Sequence, residues 1–258
     1  DSLQLYRRLS SSTVDTSFQT TPRDQFGGTV YNRSNLTLDN LSTPIGYQAI
    51  ASGNRSIAIG AFAYSRENSA VALGVYALGM GVSSVAIGDQ AKANGYRSVA
   101  IGPLTNTSGT NAISFGVHAS ASGASSISVG NNSTVSGLSS AGIGTNSSVI
   151  GGSSIGIGDS VSVTSTGTNG VSIGVNSVLS GNNGIAIGSS AQATATNSTA
   201  IGSGTPSIHS GSIIFGNSTV STAANQIRFG DGLASFFTSI QFGMGDALHA
   251  TQYMIQSL

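Results

Sequence analysis

Residues 86–102 read AIGDQAKANGYRSVAIG, so the tripeptide that opens the stretch also closes it. Gly88 and Gly102 stand 14 residues apart, and the spacing continues in both directions. Upstream lie Gly46, Gly60 and Gly74; downstream lie Gly116, Gly130, Gly144 and Gly158. Gly174 follows after 16 residues, and Gly188, Gly202, Gly216 and Gly230 restore the step of 14. With the two-residue insertion removed, Gly46 to Gly230 is 13 whole units. Such a fixed period marks a repeat architecture in which each unit is one small structural element stacked on the next.

Within a unit the residue before the glycine is large and apolar, as in Ile59, Leu73, Ile87, Ile101 and Phe115. The residue three before is mostly β-branched, as in Ile57, Val71, Val85 and Val99. The residue between them is small: Ala58, Ala72, Ala86, Ala100, Ser114, Ser128, and later Ala186 and Ala200. Alternation with a period of two is a strand signal. A second alternation follows each glycine at the third and fifth places (Ala49/Ala51, Ala91/Ala93, Ala119/Ala121), and another glycine commonly falls seven residues on, as at Gly53, Gly81 and Gly95. Each unit is therefore strand, turn, strand, turn, with glycine at the corners because a corner needs backbone angles that a Cβ disfavours. No 3.6-residue stripe supports a helix. The fold class expected is all-β, a flattened parallel β-solenoid about 60 Å long, from 13 steps of roughly 4.8 Å.

The usual preference for large apolar residues inside directs Ile and Val to the core. It then leaves the small residues outside, where a solvated strand would collect Lys, Glu, Thr or Gln. On that reading Ala58, Ala72, Ala86, Ala100, Ser114, Ser128, Ala186 and Ala200 form a close-packed interface with another chain.

Composition narrows the function. The chain has 258 residues and 36 glycines, and 7% of its residues are charged, with 9 basic and 9 acidic side chains. One lysine and no net charge make a poor nucleic-acid binder, since backbone affinity needs clustered cations. At 38% hydrophobic residues the chain is too apolar for disorder. It has no cysteine, which removes disulfides, thiolate metal sites and cysteine nucleophiles. No apolar run approaches the roughly 18 residues of a membrane helix. The chain starts at Asp1 without Met, and reads as a mature or excised segment with any targeting or anchoring element outside it.

The pattern A-I-G-x-x-A-x-A-x-G-x-x-S-x-A-I-G resembles the head repeat of trimeric autotransporter adhesins, the YadA-like head. Residues 86–102 match it at every specified position, 46–102 stay near it, and 103–230 keep the period with looser side chains. The resemblance implies a left-handed parallel β-roll, and a homotrimer of three such rolls side by side. Near the C-terminus, DALHATQY at 246–253 is similar to the family's neck motif D-A-V-N-x-x-Q-L. Asp246, Ala247 and Gln252 match, whereas His249 and Tyr253 depart. The domain organisation expected is a cap or linker over 1–43, head repeats over 44–230, and an end cap with a neck-like segment over 231–258.

Enzymatic chemistry finds no constellation. His118, His209 and His249 lack metal-type spacing, and Glu67 is the only glutamate. No catalytic residue, metal or cofactor is expected. Binding is better supported. The outward positions of the first turns hold Arg55, Tyr64, Arg66, Tyr76, Tyr96 and Arg97, residue types that anchor interfaces, together with Phe62, Glu67, Asp89 and Lys92. From 98 to 230 only Asp159 and Arg228 are charged, so the remaining shaft is neutral. Ten Asn-x-Ser/Thr sequons add a suggestion of glycosylation.

The function expected is a non-enzymatic trimeric surface adhesin head. It would attach to a host receptor, matrix protein or glycan, be extracellular, and be anchored to an outer membrane through a region beyond this chain. A phage or viral fibre built from the same repeat is the alternative, with a virion as its location. An ice-binding solenoid would need a regular Thr array, which the mixed outward positions Ile50, Tyr64, Leu78 and Lys92 do not offer.

Overall fold

The computed structural model describes residues 42–230. Among them every regular element is a strand. Fourteen strands of three residues, from Thr43–Ile45 to Ile227–Phe229, form one parallel sheet, here called the wide sheet. Twelve strands of two residues, from Ile50–Ala51 to Pro206–Ser207, form a second, narrow sheet. Each strand pairs with the equivalent strand one coil later, as in Ala72↔Ala86 and Gly79↔Ala93. The chain is thus a parallel β-solenoid of 14-residue coils, as the spacing predicts. Across the longer unit, Ile155 pairs with Val171 and the ladder continues unbroken. The two extra residues are absorbed at one corner, where the Thr168 amide donates to Thr166 O at 2.9 Å and the Thr166 hydroxyl to Ser180 O at 2.8 Å.

The glycine after each wide-sheet strand has a φ between +121° and +142° from Gly46 to Gly216, a region closed to L side chains. Space forbids a side chain as well. A Cβ on Gly88 would sit 2.7 Å from the carbonyl carbon and oxygen of Gly102 in the next coil. Two further corner positions per coil lie in the left-handed region near φ +55°, one two residues after the glycine and one nine after. Asn and Ser dominate there, the residue types that tolerate this conformation best. Asn132, Asn146, Asn176 and Asn183 are examples, but Phe62, Tyr76, Leu104 and Arg55 also occupy such positions.

The inside and outside of the wide sheet are the reverse of the sequence-based expectation. Ala58, Ala72, Ala86, Ala100, Ser114, Ser128, Ala186 and Ala200 are all fully buried in the chain's own core. Their neighbours Ile57, Ile59, Val71 and Leu73 are half-buried, and Ile113, Phe115, Ile127 and Ile143 are exposed. The eight small residues therefore cannot form the contact between chains. The reason is the width of the coil. Fourteen residues closed into two short strands leave a slot that takes one small side chain from each sheet. A Cβ on Gly142 would already stand 2.6 Å from Val135 Cγ2. Many buried hydroxyls fit this slot by bonding to backbone or to each other: Ser126 Oγ donates to Gly123 O at 2.6 Å, and the Ser133 and Ser147 hydroxyls lie 2.8 Å apart.

At the C-terminal end of the described roll, Arg228 pairs with Ile214 at the inward position of the last coil. Its Nη1 donates to Val220 O at 2.9 Å. A cation tied to a carbonyl ends the apolar slot there. The expected cap or linker over 1–43 falls, except for its last two residues, outside the described residues. The end cap and neck-like segment, with Asp246, Ala247 and Gln252, fall wholly outside them.

Candidate functional site

Two surfaces of the roll are unusual. The first is the outer face of the wide sheet. Two columns of side chains run along it, one from Ile45 to Phe229 and one from Thr43 to Ile227. The column beside the glycine is apolar in every coil: Ile, Leu, Val or Phe. The other column breaks only at Thr43, Ala141 and Thr199. Phe115 is 53% exposed and Ile155 42%, and Phe215 and Phe229 stack with ring centroids 5.3 Å apart. Soluble monomers seldom leave more than a few hundred Å² of contiguous apolar surface bare. A stripe spanning 13 coils exceeds that.

The second surface is the outer face of the narrow sheet and its two corners in the first four coils. The structure brings the expected contact residues onto this side. Tyr64 lies on a narrow-sheet strand and Arg66 just beyond it, 3.5 Å from Glu67. Tyr76 stacks on Phe62 at 4.8 Å, and Phe62 meets Tyr47 edge-on at 5.3 Å. These three form an aromatic ladder up one corner. At the opposite corner Arg55 and Arg97 occupy the same column, three coils apart, and the Arg97 guanidinium lies 4.8 Å over the Tyr96 ring. Met80 and Val82 escaped the sequence reading, yet together with Leu78 they point outward between these corners, alternating with the buried Ala77, Gly79 and Gly81. The period itself was the signal that could have found them.

Among the described residues no group of three or more His, Asp or Glu could hold a metal ion. His118 is an exposed corner residue, and His209 Nδ1 lies 2.9 Å from the Ser221 hydroxyl. Among the described residues no helix is long and apolar enough to cross a membrane.

The sequons have a structural origin at several coils. Asn132, Asn146 and Asn197 sit at left-handed corners, and Ser133, Ser147 and Ser198 after them are buried. A corner amide followed by a core hydroxyl and an outward Ser or Thr spells the glycosylation triplet without any demand for a glycan. The Asn132 and Asn146 amides bond to each other at 2.9 Å, as do those of Asn183 and Asn197 at 3.1 Å.

No curated protein matches the chain. The family model of the YadA head domain repeat matches residues 42–63, 81–105, 108–133 and 180–205. These segments begin in the first coil and end at residue 205 of the same unbroken solenoid. The matched segments are similar to YadA head domain repeats, and the coils between them keep the same parallel register.

Proposed function

We propose that the chain is a trimeric, non-enzymatic adhesive head, in which three rolls face one another across the apolar stripes of their wide sheets and turn their narrow sheets outward. The observation that carries this reading is the stripe itself. It repeats in every coil, whereas a chance patch would not keep the period. The interface thus moves from the small residues to Ile101, Phe115, Ile127, Ile143, Ile157 and their equivalents. Burying such a column at roughly 25 cal/mol per Å² would stabilise a trimer well beyond what one thin roll gains alone. The outward faces, multiplied by three, would hold Arg55, Tyr64, Arg66, Tyr76, Tyr96 and Arg97 toward a receptor, matrix protein or glycan. Three weak contacts that act together bind far more firmly than one. A place at the cell surface, held by an outer-membrane anchor, fits the family.

Sedimentation of the purified chain tests the assembly. A mass three times 25.6 kDa is expected. The double variant Ile113→Lys/Ile127→Lys should sediment as a monomer or fail to assemble. A wild-type monomer, or a variant that still shows the trimer mass, removes this interface. Attachment of beads coated with the head to cultured cells and to matrix-coated wells tests adhesion. Beads that adhere to neither remove the adhesive reading.

A further inference from the structure

The third coil differs from the others on its outer side. From corner to corner, Tyr76, Leu78, Met80 and Val82 make one outward row with no charged side chain, in which the Tyr76 phenol is the only polar group. Tyr76 is 49% exposed and Val82 36%. In the fourth coil, one strand spacing away, the equivalent positions carry Gln90, Lys92, Asn94 and Tyr96, and Arg97 follows at the corner position that Ser83 holds in the third coil. Tyr76, Leu78, Gln90 and Lys92 line an open depression of about 350 Å³ between the two coils. Among the described residues neither Lys92 nor Arg97 pairs with a carboxylate; the only ion pair there is Arg66 with Glu67. In later coils no such row recurs: Ser120 and Ser148 stand in place of Leu78, Ser122 and Ser136 in place of Met80, and Leu138, Ile150 and Val178 are single apolar residues in otherwise polar or small-residue rows. The apolar row is a local departure that the fold does not need.

We propose that this row is the docking site for an extended acidic–apolar polypeptide segment of the receptor. The segment would lie along the strand direction, with its apolar side chains on Tyr76, Leu78 and Met80 and its carboxylates toward Lys92 and Arg97. This rests on the adhesive reading above and names the chemistry of its partner. Charge complementarity selects the acidic character, because unpaired cations beside an apolar strip steer and orient a negatively charged ligand. The aromatic geometry selects a polypeptide over a sugar chain. Sugars pack on open ring faces, but the Phe62 and Tyr76 rings lie parallel at an interplanar angle of 2°, so each covers one face of the other. Leu78, Met80 and Val82 offer aliphatic surface, which apolar side chains match.

The test uses the full chain and immobilised synthetic peptides in which pairs of Leu or Phe alternate with Asp or Glu. Control peptides carry Lys in place of the acids, and heparin serves as the sulfated-sugar arm. The variants borrow residues that later coils already carry at the same positions, so the fold accepts them: Leu78→Ser/Met80→Ser/Val82→Thr, and separately Lys92→Gln/Arg97→Asn. Acidic–apolar peptides should bind at least tenfold more tightly than the controls, and less tightly as salt rises. The triple variant should lose tenfold or more and the charge variant at least threefold, with unchanged melting and sedimentation. The proposal is overturned if the acidic peptides bind no better than the lysine controls. It is also overturned if the triple variant binds them as the wild type does, or if heparin is retained while the peptides are not. In each of these cases, beads that still attach to cells or matrix leave the adhesive reading standing. Beads that attach to nothing remove both.

Discussion

The coils around residues 58–121 and those around 135–184 fill the same slot in different ways. In the first group both sheets contribute small residues: Ala58, Ala63, Ala72 and Ala77 form one core cluster, and Ala86, Ala91, Ala93 and Ala100 another. In the second group the narrow sheet supplies Val135, Val149, Val163 and Leu179. The wide-sheet positions facing these valines become Gly142 and Gly156. Gly170 and Gly184, where other coils carry Ser or Ala, flank Leu179, and a Cβ on Gly184 would stand 2.6 Å from Leu179 Cδ1. At Ile214 the exchange runs the other way, with the large side chain on the wide sheet and Ser207 and Ser221 buried on the other side of the coil. The slot holds a nearly constant volume, and the sequence may divide it between the sheets in either direction. Cores are packed to crystal-like density, so this sum is conserved where the individual residues are not.

Four substitutions would break or sharpen that contrast. Ala86→Glu places a carboxylate in the all-alanine slot, where nothing can pair with it. It should cost several kcal/mol and prevent cooperative folding, read as loss of the thermal transition. Leu179→Ala empties the largest inward side chain of the second group and should cost about 2–5 kcal/mol by chemical denaturation. Gly184→Ala alone should cost about 1–3 kcal/mol by overpacking. Together the two should cost at least about 1 kcal/mol less than their sum, since the methyl enters the space the leucine leaves. Additive costs would show that the slot does not trade volume between sheets. The smallest effect is expected at Ser114, whose buried hydroxyl has no partner. Ser114→Ala restores the residue of the neighbouring coils at Ala86 and Ala100, and should raise stability by roughly 1 kcal/mol.

The period, the strand positions and the corners were legible because each is local. A glycine with φ near +130° and a β-branched residue three before it declare themselves in any coil. The orientation was not, because the rule that large apolar residues face inward presumes a domain thick enough to house them. A 14-residue coil has room only for the Ala58 class inside, and the Ile57 and Ile59 class waits for a partner. The evidence for the true orientation was present in the sequence as a correlation. Gly142 and Gly156 coincide with Val135, Val149 and Val163, a pairing that makes sense only if those positions face each other. The contact residues named from the sequence, Arg55, Tyr64, Arg66, Tyr76, Tyr96 and Arg97, were found by residue type. Met80 and Val82 were passed over because they look like core until the outward columns are aligned.

The longer coil at residues 159–174 has a consequence for how such a chain can diversify. Its added residues satisfy themselves at the corner, with the Gly167 amide donating to Thr164 O at 3.0 Å, and the coils before and after keep their register. The closure entropy of a loop grows only slowly with its length. This corner is therefore a hinge in sequence space: segments can be lengthened, exchanged or grafted there, changing what an antibody sees on the shaft while the stack beneath is inherited unchanged.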